Sequence, residues 1–147
     1  MSNDNLTKAM KIVLADTYAL YLKTHNYHWN VEGERFLSLH NFFEEQYNDL
    51  ATAVDEIAET ILQLGQKAPG SFKAYIELTN IKDGDENASA QEMVADLAKD
   101  QGILIESLTT ALEVAQEIGD EATADLAIGR IAYHRKTKWM LEASAQG

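Results

Sequence analysis

From Leu6 onward, apolar and half-apolar residues return at every third or fourth position: Leu6, Met10, Val13, Thr17, Leu20, Thr24 and Tyr27. That step is the period of one helix face, and it predicts a first helix over about 5–31. A second stripe, Phe36, Leu39, Phe43, Tyr47, Leu50, Val54, Ile57, Ile61 and Leu64, predicts a helix over about 36–64, with Gly65 placed to cap its end. A third, Met93, Leu97, Leu104, Leu108, Ala111, Ala115 and Ile118, predicts a helix over about 90–118, with Ser89 available to cap its start and Gly119 closing it. The fourth helix begins at Asp120, carries Glu121 and Asp125 in its opening turns, and is expected to finish around Arg135, Lys136 and Lys138, charges that suit the helix dipole at both ends.

Joint lengths decide how such helices pack. Glu32–Arg35 and Gly119 are short joints, which force antiparallel neighbours. The stretch from Gly65 to Ala90 is long enough to travel the length of a bundle, so the second and third helices can run parallel after a crossover. Within it, residues 71–78 can form a short extra helix. The expected fold is all-α, a four-helix bundle in one domain over 1–147, with neither an internal repeat nor a low-complexity tract.

Composition narrows the chemistry. No apolar run approaches the roughly 20 residues of a spanning helix, and the start, Met1-Ser2-Asn3-Asp4-Asn5, lacks the features of a signal or transit peptide, so a cytoplasmic protein is expected. The chain has no cysteine. Disulfides and thiolate metal sites are thereby excluded, and His, Asp and Glu remain as the strong ligands. Acidic residues number 24 against 12 basic ones, a formal net charge of -12, which attracts cations and repels polyanions. Solubility alone is the ordinary meaning of such a charge.

Two of the four histidines have carboxylate company or lie close to it. His40 and Glu44 stand one turn apart on the second helix, and Asp55 and Glu59 form another i, i+4 pair farther along it. At about 100° per residue all four share one stripe, yet the pair centres are about 22 Å apart, too far for one ion. The pairs are symmetric about the point midway between Asp49 and Leu50: His40 and Glu59 are equally far from it, and so are Glu44 and Asp55. If this helix packs antiparallel on its own copy about that point, His40 faces Glu59 of the other chain and Glu44 faces Asp55, creating two equivalent sites. His28, at the end of the antiparallel first helix, stands level with them and can add a second imidazole. Two imidazoles and three carboxylates suit iron, manganese or zinc. The competing reading is a set of solvated surface pairs, the usual fate of i, i+4 charges. For His25 and His134 a packing role is expected, and for Trp29 and Trp139 likewise. Glu-x-x-His, the signature of a di-iron site inside a bundle, is absent: the residues three before the histidines are Leu22, His25, Leu37 and Ile131.

The run Lys23-Thr24-His25-Asn26-Tyr27-His28-Trp29-Asn30-Val31-Glu32-Gly33, followed by Phe36, Leu39 and His40, then by Asp55-Glu56-Ile57-Ala58-Glu59, Leu64-Gly65, Gly70-Ser71 and Trp139-Met140-Leu141, resembles the Dps family of mini-ferritins over nearly the whole chain. The resemblance implies a ferritin-like four-helix bundle, a dodecameric shell of tetrahedral symmetry, and a ferroxidase centre built from His28 and His40 of one chain with Asp55 and Glu59 of its partner. Glu44 stands where the family commonly has Asp, one methylene shorter. The resemblance further implies oxidation of ferrous iron by hydrogen peroxide, storage of ferric oxide, interception of stray oxidising equivalents by Trp29, and access pores lined by Asp120, Glu121 and Asp125; whether iron or zinc occupies the resting site is left open by the sequence. Acids at a helix start also serve simply as dipole partners.

DNA protection is not expected to carry over. Family members that bind DNA often use lysine-rich tails, whereas this chain has no basic residue before Lys8 and ends Glu142-Ala143-Ser144-Ala145-Gln146-Gly147. Twelve such chains would multiply the negative charge against the phosphates. The alternatives to an iron-oxidising store are a nucleoid-associated DNA-binding protein and a helical assembly without metal chemistry.

Overall fold

The computed structural model describes residues 3–146; Met1, Ser2 and Gly147, the extremities of the two tails, lie outside them. Among the described residues there are five helices and no strand: α1 Asp4–Asn30, α2 Phe36–Gln63, α3 Phe72–Leu78, α4 Ala90–Glu117 and α5 Glu121–Ala145. All seven positions of the first predicted stripe are buried in α1. On α2 the stripe divides: Leu39, Phe43, Leu50, Ile57 and Ile61 are buried, while Phe36 at its start is 40% exposed.

Local chemistry sets the helix ends. Ser89 and Glu92 form a capping box at the start of α4, which satisfies two otherwise orphaned backbone donors. Ser71 caps α3 through Ala74 N–H at 3.2 Å. Asp120 caps α5, accepting from the Thr123 N–H at 3.1 Å and the Thr123 hydroxyl at 2.7 Å. Gly65 and Gly119 follow α2 and α4 with φ of 94° and 77°, a region where a Cβ is strained. The expected cationic finish of the last helix is corrected: α5 continues to Ala145, and its last turn holds no basic residue. Arg135, Lys136 and Lys138 therefore sit well inside it, because the residues that follow, Trp139 to Ala145, contain no helix breaker.

Side-chain ties fix direction. Asn3 reaches the Leu64 carbonyl and Lys11 reaches Gln66, so α1 begins where α2 ends. Arg35 donates to the Ser144 carbonyl and Arg130 to Asp49 at 2.8 Å, so α2 and α5 are antiparallel. Lys23, 4% exposed, lies between Asp96 at 2.9 Å and Asp100 at 2.7 Å, setting the end of α1 against the start of α4. Burial pushes the Asp100 carboxyl up to about 6, against the pull of Lys23. The crossover is held onto α1 by Asp16, which is fully buried and accepts from the Thr79 hydroxyl, the Asn80 N–H and the Ser107 hydroxyl. Together these ties place the end of α1 beside the start of α2. No helix among the described residues is long and apolar enough to cross a membrane.

Candidate metal centre

His28 lies in the last turn of α1 and His40 in the second turn of α2, and the five-residue joint 31–35 folds one beside the other. Each ring is tied to the other's backbone: His28 Nδ1 lies 2.8 Å from the His40 carbonyl oxygen, and His40 Nδ1 lies 2.7 Å from that of His28. A carbonyl only accepts, so both Nδ1 atoms carry hydrogen and donate. In the neutral rings this leaves each Nε2 with its lone pair free. The rings are stacked, centroids 3.8 Å apart and planes 15° from parallel.

Glu44, one turn beyond His40, brings Oε1 to 3.9 Å from His28 Nε2. One nitrogen from each histidine and one Glu44 oxygen lie within 4.8 Å of one another, and the trio grades from a buried His28 through a half-buried His40 to an exposed Glu44. Asp55 and Glu59 are not brought to this trio within the chain. They stand exposed farther along α2, about 16 Å (Asp55) and about 22 Å (Glu59) beyond Glu44 by helix rise alone.

Two flanking rings, neither a ligand type, belong to the same cluster. Phe36 stacks on His40 at 5.0 Å and 27°, and Tyr47 meets His28 edge-on at 5.0 Å and 74°. Both lie on the apolar stripe of the second helix. The i, i+4 spacing from Phe36 to His40 was the available signal. His25 packs as expected, its ring 4.5 Å from Trp29 and 4.0 Å from Tyr47; burial, then the neighbouring His28, lowers its pKa. The packing expectation fails for the tryptophans: Trp29 is 60% and Trp139 63% exposed in the chain, because both project from helix faces turned away from the bundle core.

His134 is a different kind of histidine. It is fully buried, Nδ1 donates to Gln101 Oε1 at 2.6 Å, and Nε2 accepts from Arg130 at 3.0 Å. Both nitrogens are spent. Arg130 continues to Asp49 at 2.8 Å, so the interior between α2, α4 and α5 is crossed by a protein-only network. At the start of α5, Glu121 and Asp125 are exposed, while both Asp120 oxygens are committed to the cap.

Residues 7–146 match the ferritin-like domain. DNA protection during starvation protein 2 of Bacillus anthracis is 38% identical over 96% of this chain and 97% of its own length. The chain belongs to the Dps family of ferritin-like proteins. Among solved Dps structures, that from Staphylococcus aureus superposes with a TM-score of 0.94 at 34% identity, covering 99% of this chain and 98% of that one. The Dps protein from Vibrio cholerae O1, described as a member of a broad superfamily of ferritin-like diiron-carboxylate proteins, superposes with a TM-score of 0.93 at 35% identity, covering 97% and 89%. At the level of the family, then, this is a mini-ferritin, and the expected all-α bundle with its long crossover and short extra helix is the Dps fold.

Proposed function

We propose that this chain assembles into a dodecameric shell and oxidises ferrous iron, with hydrogen peroxide as the electron acceptor, at dinuclear sites completed between two chains, the ferric product being stored inside. The observation that carries the reading is the half-built donor set: two imidazoles with their Nε2 atoms released and Glu44 beside them, while Asp55 and Glu59 stand exposed without a nitrogen ligand. Nitrogen and carboxylate donors fit ferrous iron, the substrate, and fit zinc as a resting occupant. A two-fold axis between Asp49 and Leu50 would set the partner's acids opposite these histidines.

In the reaction two ferrous ions each give up one electron, and peroxide accepts both as its O–O bond breaks. The oxygen ends as ferric oxide or hydroxide and protons are released, so no hydroxyl radical forms. The residues of the chain hold the two ions side by side and keep the imidazoles oriented. Trp29, exposed and stacked on His25, is suited to intercept one-electron oxidants that escape. Glu121 and Asp125 are the acids available to line an access pore, Asp120 being occupied as a cap.

Complementation tests the shared site. A His28→Ala/His40→Ala chain and an Asp55→Ala/Glu59→Ala chain should each be nearly inactive. Refolded together in equal amounts, half the interfaces are mixed and each mixed interface holds one intact site of two, so about a quarter of the wild-type sites should return. No recovery despite proven co-assembly would overturn the shared site. Direct DNA binding is not part of this reading: with a net charge of -12 per chain, a gel-shift assay at physiological salt should give no retardation, and salt-sensitive stoichiometric binding would contradict it.

A further inference from the structure

We propose that Phe36 is a positioning residue that holds His40 parallel to His28, and thereby makes the centre take one metal ion on each imidazole instead of a single ion gripped by both. The proposal rests on the reading of His28 and His40 as ligands and extends it to what sets their stoichiometry.

An imidazole binds a metal along the in-plane lone pair of its nitrogen, at about 2.0–2.1 Å. Two rings stacked at 3.8 Å with planes only 15° apart carry lone pairs that lie in nearly parallel planes. An ion at bonding distance from both nitrogens would have to sit far outside each ring plane, where no lone pair points. Two ions, one in each plane, meet no such conflict. Glu44 reaches both rings' neighbourhood and can bridge.

Parallel stacking therefore has to be maintained. The Nδ1–H donations to the His28 and His40 carbonyls fix one edge of each ring but leave the plane free to rock about that edge. Flanking rings remove this freedom, Tyr47 by its edge and Phe36 by its face. Tyr47 closes the outer side of His28, and Phe36 closes the outer side of His40 at 5.0 Å and 27°. Phe36 opens α2, its N–H bonded to the Gly33 carbonyl at 3.0 Å, so its backbone is anchored. Yet the residue is 40% exposed, whereas Leu39, Phe43, Leu50, Ile57 and Ile61 of the same stripe are buried. A partly exposed ring placed flat on a ligand is better explained by orientation of that ligand than by core packing.

The test is anaerobic titration of the assembled shell with cobalt(II), read by visible absorption and by bound metal per chain. Wild type should take two ions per chain in bands abolished by His28→Ala/His40→Ala. Phe36→Ala, and Phe36→Leu as the variant that keeps apolar bulk without a flat face, should take one ion per chain with altered bands, while Phe36→Tyr should restore two. With a single ferrous ion per site, peroxide is reduced by one electron, giving one ferric ion, one hydroxide and one hydroxyl radical, so spin trapping should report more radical from the Ala and Leu variants than from wild type. Two cobalt ions with unchanged bands in assembled Phe36→Ala or Phe36→Leu shells would overturn the positioning role and leave the site reading standing. Absence of histidine-dependent cobalt uptake in wild type would remove the site reading itself, and this proposal with it.

Discussion

The pair His28 and His40 and the single His134 start from the same arrangement: in each ring Nδ1 donates to a protein oxygen. They part at Nε2. In His134 that atom accepts from Arg130, whose cation is itself neutralised by Asp49, and the ring is sealed in the core. In His28 and His40 it is left over, with a carboxylate close by and the outside within reach. A histidine becomes a ligand candidate when its second nitrogen has no protein partner; burial does not separate the two cases, since His28 is itself buried. In the interior between α2, α4 and α5 a fixed guanidinium stands against His134, which disfavours a cation there.

The largest expected effect lies in crossing the two regions. His40→Ala should reduce the rate of iron oxidation by more than the roughly 10–100-fold that loss of a ligand's supporting partner costs, while leaving the thermal unfolding of the shell nearly unchanged. His134→Ala should do the reverse, destabilising by about 3 kcal/mol because Gln101 and Arg130 lose a buried partner, with full activity per assembled shell. Stopped-flow iron oxidation and thermal unfolding on both variants check this. If His134→Ala lost activity in intact shells, the division between the regions would fail.

A smaller effect separates them by pH. Burial first, and the Arg130 guanidinium second, hold His134 well below its ordinary 6.5. The unfolded chain therefore takes up a proton near 6.5 that the folded chain refuses. Stability from this residue is complete above 6.5 and declines as the pH falls from there toward the folded value, by about 1.4 kcal/mol per unit. Asp100 works in the other direction: raised to about 6, it favours the folded state below its ordinary 3.8 and loses that contribution as the pH rises through about 6. The difference between the wild-type and His134→Gln stability curves cancels Asp100, and it should show the His134 slope below 6.5. A flat difference would mean that the His134 cluster opens to solvent.

Helix existence was legible because burial on one side of a helix imposes a period that any chain displays, and the breakers Gly65 and Gly119 mark ends at positive φ. The boundaries agree within one residue for α1, α2 and α4, but the end of α5 was misjudged, since a favourable charge at a terminus is too weak to stop a helix of good formers. His28, His40 and Glu44 were legible as candidates from spacing, and the resemblance supplied their roles. The place of Phe36 was not, because an aromatic residue on an apolar stripe has the same pattern whether it faces a core or a histidine ring.

By itself the sequence determined the periodic faces, the joint lengths that make α1 with α2 and α4 with α5 antiparallel, the absence of thiolate ligands, and the symmetric placement of His40, Glu44, Asp55 and Glu59 along one helix stripe. All of these follow from local geometry and counting. Only the tertiary structure decided that His28 and His40 stack, that their Nδ1 atoms are engaged and Nε2 atoms left over, that Arg130 occupies the free nitrogen of His134, and that Phe36 covers His40. The reason is physical: a hydrogen bond or a ring stack between different helices depends on side-chain positions to within an ångström, and those positions are set by how the helices dock, which a pattern along one chain does not encode.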